Sequence, residues 1–180
     1  MSDLGTMEEL DGGKVRLRYR RLYPHRVSKV WQALTDPEQS KRWWAQARGA
    51  LEAGGSWDLR WQNTPPGEQP MDWWTGSITE LEPERVFELQ NSVHGLLRWE
   101  LSPAVVGATG DGTELIFTAI IDTEDRQARL STLAGWHIHL DHLDSVLAGG
   151  SVDWPNWYSD HYPAWQQVHD EYAQVVGGKA

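Results

Sequence analysis

Between residues 54 and 122 the apolar side chains recur at every second position, in short runs separated by turn residues, and the chain then changes to one long helical repeat. A period of two puts alternate side chains on opposite faces of a strand, whereas a spacing of three and four lines one side of a helix. Trp57, Leu59 and Trp61 alternate with Asp58 and Arg60, and Leu97, Trp99 and Leu101 alternate with Arg98 and Glu100. Phe87 and Leu89 share a face after Pro83, and Leu115, Phe117, Ala119 and Ile121 align behind the Gly110-Asp111-Gly112 turn. Residues 73–81 read as a further strand. Short connections between consecutive strands imply an antiparallel meander. One face of each strand carries the large apolar groups, so one face of the sheet must be covered. The candidate cover is residues 125–147, which as a helix is ~34 Å long. Leu133, Trp136, Leu140, Leu143 and Leu147 form its apolar stripe, and Gly149-Gly150 ends it.

The segments on either side fit this plan. Residues 14–21 alternate as a half-buried strand, with Val15, Leu17 and Tyr19 on one face and Arg16, Arg18 and Arg20 on the other. Val27, Val30, Trp31 and Leu34 have helical spacing, and Thr35-Asp36-Pro37 is an N-cap with proline just inside a second short helix that runs through Ser40 to Trp44. Residues 1–12 are expected to be a flexible tail. Residues 151–180 form an aromatic extension, with Trp154, Trp157, Tyr158 and Tyr162 leading into an amphipathic helix from about Pro163 that packs on the same domain through Trp165, Val168, Tyr172 and Val175.

A chain of 180 residues suggests one domain, and at that size folding buries ~70% of the surface exposed by the unfolded chain. The net charge of −10 and pI near 5.1 disfavour nucleic acid and anionic membrane surfaces as partners. With no cysteine, disulfides, thiolate catalysis and cysteine-ligated zinc are excluded. Residues 1–13 are acidic and lack the apolar stretch of a signal peptide. No apolar run approaches the roughly 18 residues that read as a membrane span, so a cytoplasmic protein is expected. The chain has 12 tryptophans where about two or three would be ordinary for its size. An excess of this kind fits a stiff aromatic core and an aromatic-lined cavity equally well.

The order of these parts resembles the helix-grip plan of START-like proteins, an α+β fold with an antiparallel sheet of six or seven strands wrapped around a long C-terminal helix and two short helices after the first strand. The local motifs sharpen the likeness. Val30-Trp31-Gln32-Ala33-Leu34-Thr35-Asp36-Pro37, followed by Trp43-Trp44, resembles the opening of SRPBCC proteins, in particular the group named for the activator of the ninety-kilodalton heat-shock chaperone's ATPase. Gly54-Gly55-Ser56-Trp57, Leu81-Glu82-Pro83 and Gly112-Thr113-Glu114-Leu115 fall at that group's strand and turn markers, and residues 135–143 resemble its closing helix. The likeness covers about residues 14–150, and residues 13–150 are taken as the helix-grip domain. It implies a deep cavity between sheet and helix, with Trp43 and Trp44 closing one mouth. The eukaryotic activator carries a further N-terminal domain for which this chain has no room, so chaperone activation is not carried over.

The implied function is binding of a hydrophobic or aromatic small molecule, with Trp61, Phe87, Trp99 and Phe117 as the sheet wall and Trp136, His137 and Leu140 as the helix wall. A second reading is an enzyme of cyclase or aromatase type, in which His137 is oriented by Asp141 or Asp144 and acts as a general base; a histidine that merely bonds to the sheet is the plainer alternative. A third is a protein-interaction or stress-related module, monomeric or a homodimer, that uses the aromatic C-terminal segment. His137 and His139 point to nearly opposite sides of a helix, and His139 with His142 shares a flank expected to be exposed, so no metal site is expected. Nor is there a phosphate-binding glycine loop or other cofactor motif, and no cofactor is expected.

Overall fold

The computed structural model describes residues 3–107 and 110–177; the ends of the expected tail and extension, residues 1–2 and 178–180, lie outside the described residues. Its frame is a six-stranded antiparallel sheet in the order β1-β2-β8-β7-β6-β5. The strands are β1 (Thr6–Glu9), β2 (Lys14–Tyr23), β5 (Gly76–Glu82), β6 (Val86–Asn91), β7 (Gly95–Ala104) and β8 (Gly112–Asp122), while β3 (Ala45–Gly49) and β4 (Trp57–Trp61) pair as a separate ribbon. The period-two residues do what their spacing requires. Val15, Leu17 and Tyr19 on β2 are buried, and so are Leu97 and Trp99 on β7 and Leu115, Phe117 and Ala119 on β8. Tyr19, Phe117, Trp99 and Phe87 stand side by side across four strands, since each is the Cα partner of the next in register.

The helix α3 (Arg126–Leu147) lies on this face, with Asp125 as N-cap accepting from Gln127 N at 2.8 Å. Two tyrosines of β2 tie sheet to helix through the helix backbone: Tyr19 Oη donates to Leu133 O at 2.7 Å and Tyr23 Oη to Leu140 O at 3.4 Å. The short helices α1 (Val27–Thr35) and α2 (Pro37–Ser40) follow β2, and Asp36 caps the second by accepting from Glu38 N at 2.9 Å. The helix α2 stops at Ser40 rather than running on to Trp44, because the chain must turn there to enter β3; the Ser40 hydroxyl donates to Ala45 O at 2.8 Å across that turn.

Three expectations are corrected. The N-terminal segment is not a flexible tail throughout: Thr6–Glu9 pairs with β2 as an edge strand, and Arg16 and Arg129 hold Glu8 and Glu9 at 2.8 and 2.9 Å. An acidic segment beside an arginine-bearing strand finds both backbone and charge partners. Residues 73–75 precede β5 instead of belonging to it, and their one ladder contact with β4 is the Leu59–Trp74 bridge. Trp43 and Trp44 are core residues, not a mouth. Both are essentially unexposed, and Trp43 Nε1 donates to Ala33 O at 2.8 Å.

After α3 the chain folds back as α4 (Trp157–Asp160) and α5 (Tyr162–Gly177), and α5 packs along α3. Val168 and Tyr172 are the buried residues of its inner side, whereas Val175 is half-exposed and contributes little.

Candidate functional site

The space between sheet and long helix is filled by aromatic rings. Phe87 stacks on Trp99 with centroids 5.3 Å apart, Trp99 lies 5.0 Å from Phe117, and Phe117 lies 4.4 Å from Trp136 of α3. Trp44 closes the group at 5.3 Å from both Trp99 and Trp136. These separations are those of direct ring packing. Of the seven residues expected to line a deep cavity, Phe87, Trp99, Phe117 and Leu140 are thus packed core.

The cavity itself sits at one end of this stack, where residues 62–75 and the β6–β7 turn overhang the N-terminal half of α3. It measures about 500 Å³ and is lined by Trp61, Met71, Val93, His94 and Tyr158 on one side and by Ser131, Thr132, Gly135, Trp136 and His139 on the helix. Trp61 and Trp136 are the two expected wall residues that the structure places there. Trp61 is well fixed: its Nε1 donates to His94 Nε2 at 2.9 Å, and its ring stacks on His139 with centroids 4.7 Å apart.

The two imidazoles have assigned protons. His94 accepts from Trp61 at Nε2, so its Nδ1 carries hydrogen and donates to Asn91 Oδ1 at 3.2 Å. His139 Nδ1 lies 3.2 Å from Trp43 O, which can only accept, so Nδ1 carries the proton and Nε2 keeps its lone pair. Burial pushes both down to about 4. His142, beneath Trp157 and His161, is pushed to about 2, chiefly by burial and then by the neighbouring His139 and His161. All three are neutral at pH 7.

The flank bearing His139 and His142 is buried rather than exposed. The 154–161 segment covers it, with Trp157 Nε1 donating to His142 Nε2 at 3.1 Å and the His161 ring 4.5 Å from that of His142. Among the described residues no group of three or more His, Asp or Glu side chains is disposed to hold a metal ion.

His137 lies elsewhere. It is fully buried beneath α5, where its Nδ1 is 2.9 Å from Tyr172 Oη, which also accepts from Gly5 N at 2.7 Å. Its other ring nitrogen, Nε2, lies 3.6 Å from Asp141 Oδ2. Burial lowers the His137 pKa, which the Asp141 charge opposes. Asp141 is also 3.8 Å from the buried Arg21, and Asp144 is exposed. The candidates of the enzyme reading therefore separate: His137 and Asp141 join α3, α5 and the N-terminal segment, while Asp144 is exposed, and none of them lines the cavity beside Trp61. Tyr172→Phe removes the link between His137 and Gly5, and the expected cost in urea denaturation is ~1–3 kcal/mol.

Of the cavity's polar groups, sequence reasoning treated His139 only as a weak metal ligand and overlooked His94. The readable signal was the spacing Ser131-Gly135-His139, small residues at i and i+4 beside the apolar stripe, which keep one strip of the helix low.

The family model for Activator of Hsp90 ATPase homolog 1-like proteins, AHSA1, matches residues 24–148, most of the chain. The chain belongs to the AHSA1 family. Its fold is that of AHSA1-like SRPBCC domains, as solved structures also show. CalU16 from Micromonospora echinospora superposes with a TM-score of 0.68 at 22% identity, over 98% of this chain and 95% of that one. A protein encoded by gene BPP1335 of Bordetella parapertussis gives 0.66 at 26% identity, over 97% and 93%. DynU16, a protein in the dynemicin biosynthetic locus, gives 0.59 at 20% identity, over 76% of this chain and 48% of that one. No curated protein matches the chain. Among the described residues no helix of this AHSA1 protein is long and apolar enough to cross a membrane.

Proposed function

We propose that this AHSA1 protein binds an apolar, aryl-bearing small molecule in the cavity between Trp61 and the N-terminal half of α3. The observation that carries this reading is the cavity itself: about 500 Å³, with Trp61, Trp136, Met71 and Val93 as its apolar walls, a neutral imidazole acceptor at His139, and Asn63, Glu68, Ser131 and Thr132 as further polar lining. Volumes of this order suit drug-sized ligands, for which an apolar wall gives affinity and a few polar groups give orientation. A ligand hydroxyl or amide N–H would donate to His139 Nε2. The placement of DynU16 in a biosynthetic locus agrees with a small-molecule role.

Binding is favoured over general-base catalysis by the histidines' basicity. Groups held near 4 are weak bases at pH 7. His139 and His94 are positioned by a carbonyl and an amide, not by a carboxylate.

Gly135 supplies the test. A Cβ added there meets nothing nearer than Trp165 Nε1 at 4.0 Å, so the helix accepts a side chain at this position, and Gly135 is one of the residues that line the cavity. Titration with a panel of neutral aryl compounds, read by calorimetry, is expected to find micromolar or tighter binders that Gly135→Leu loses by at least about tenfold, the scale of about 1.4 kcal/mol, while keeping its circular dichroism. Binding left unchanged in that variant would place the ligand elsewhere.

A further inference from the structure

A second cavity, of about 460 Å³, opens on the other side of Trp61 and shares Trp61, Pro65 and Glu68 with the first. Its chemistry differs. Gln46, Arg60 and Gln62 line it, together with Trp154. Gln62 and Trp154 are fixed, both donating to Lys41 O, at 2.6 and 2.8 Å.

Arg60 is the unusual group. Its cross-strand partner Gln46 accepts from both Nε (3.1 Å) and Nη2 (2.5 Å), and its guanidinium lies over the Trp73 ring at 5.1 Å. Arg48 packs on the same ring at 4.2 Å but is ion-paired with Asp58 at 3.1 Å. Arg60 makes no such pair: among the described residues no carboxylate lies within 4.0 Å of it. The guanidinium is therefore held in orientation by neutral partners through Nε and Nη2, and among the described residues Nη1 makes no hydrogen bond. A preoriented guanidinium on a cavity wall suits a carboxylate, which it can meet with two N–H groups.

Resting on the cavity reading above, we infer that the ligand is an elongated monoanion: an aryl group beside Trp136 and His139, and a carboxylate carried past Trp61 on a short flexible arm to Arg60. Two adjoining cavities of unlike lining, with one fixed aromatic wall between them, select length as well as polarity. Glu68, on the shared rim, opposes the anion and limits affinity.

The test is calorimetry with naphthylbutanoic acid and its methyl ester. The wild-type protein is expected to bind the acid about three- to tenfold more tightly than the ester, with the preference shrinking as salt is raised. Arg60→Met removes the preference and leaves ester binding unchanged, which also shows that the variant is folded; Arg60→Lys restores part of it, and Glu68→Gln widens it. Equal binding of acid and ester by the wild type, or a preference that survives in Arg60→Met, overturns the inference while leaving the aryl cavity in place. Failure of both compounds to bind removes the cavity reading and this inference together.

Discussion

Lowering the pH from 7 to 5 removes about 5 kcal/mol of folding stability, from three histidines that are buried neutral. The sign follows from the direction of their shifts. His94 and His139 are pushed to about 4 and His142 to about 2, all below the ordinary 6.5. The unfolded chain takes up protons as pH falls through ~6.5, and the folded chain does not follow until about pH 4 for the first two. Each group then costs about 1.4 kcal/mol per pH unit. Against a total stability of ~5–15 kcal/mol, this is a collapse. His94, which lines the cavity and is reached most easily by water, contributes least of the three. Urea denaturation at pH 7, 6 and 5 checks the account, and His139→Gln is expected to flatten the slope by about a third. A midpoint unchanged between pH 7 and 5 would mean that these rings are solvated in the native state.

Trp99→Ala is expected to cost ~3–5 kcal/mol, the range for deleting a buried aromatic side chain. Trp99 is unexposed and packs against Phe87, Phe117, Trp44 and Trp136. A deep ligand cavity at this position would already be hollow, and removing one of its walls would cost much less. Trp99→Phe separates the contributions further. The indole Nε1–H has no hydrogen-bond partner among the described residues, and an unsatisfied buried donor costs ~1–3 kcal/mol. Phenylalanine removes that donor along with some packing, so its net effect is expected to stay within about 1.5 kcal/mol. Thermal or urea denaturation of both variants gives the comparison.

The frame of the fold was legible because it rests on short-range periodicity. The alternation of Val15, Leu17 and Tyr19, of Leu97, Trp99 and Leu101, and the long stripe from Leu133 to Leu147 each have one physical solution. The strand at Thr6–Glu9 was not legible, because an exposed edge strand buries little and so carries no apolar pattern; its ion pairs to Arg16 and Arg129 depend on the finished fold. The site was half legible. Trp61 and Trp136 were identifiable from their faces, but a period tells only which side chains point inward, and not whether they meet. Phe87, Trp99 and Phe117 do meet, so the space moved to where small residues, Ser131 and Gly135, hold the helix surface low. His137 was misread for a related reason: its helical angle places it at the margin of the buried stripe, and only α5, which supplies Tyr172, decides which margin it faces. Likewise, the flank of His139 and His142 is exposed on an isolated helix and becomes interior only when residues 154–161 fold over it.

Whether an aryl ligand sits between Trp61 and Trp136, and not within the aromatic core or beneath α5, is read from the indole N–H signals of the 12 tryptophans in a two-dimensional nitrogen-15 correlation spectrum. These are assigned by single Trp→Phe substitutions and followed during titration with a neutral aryl ligand. Large shifts are expected for Trp61 and Trp136, with Trp43, whose indole is bonded to Ala33 O, unmoved. Shifts confined to Trp157 or Trp165, or no shift at Trp61 and Trp136 under saturating ligand, would contradict this placement.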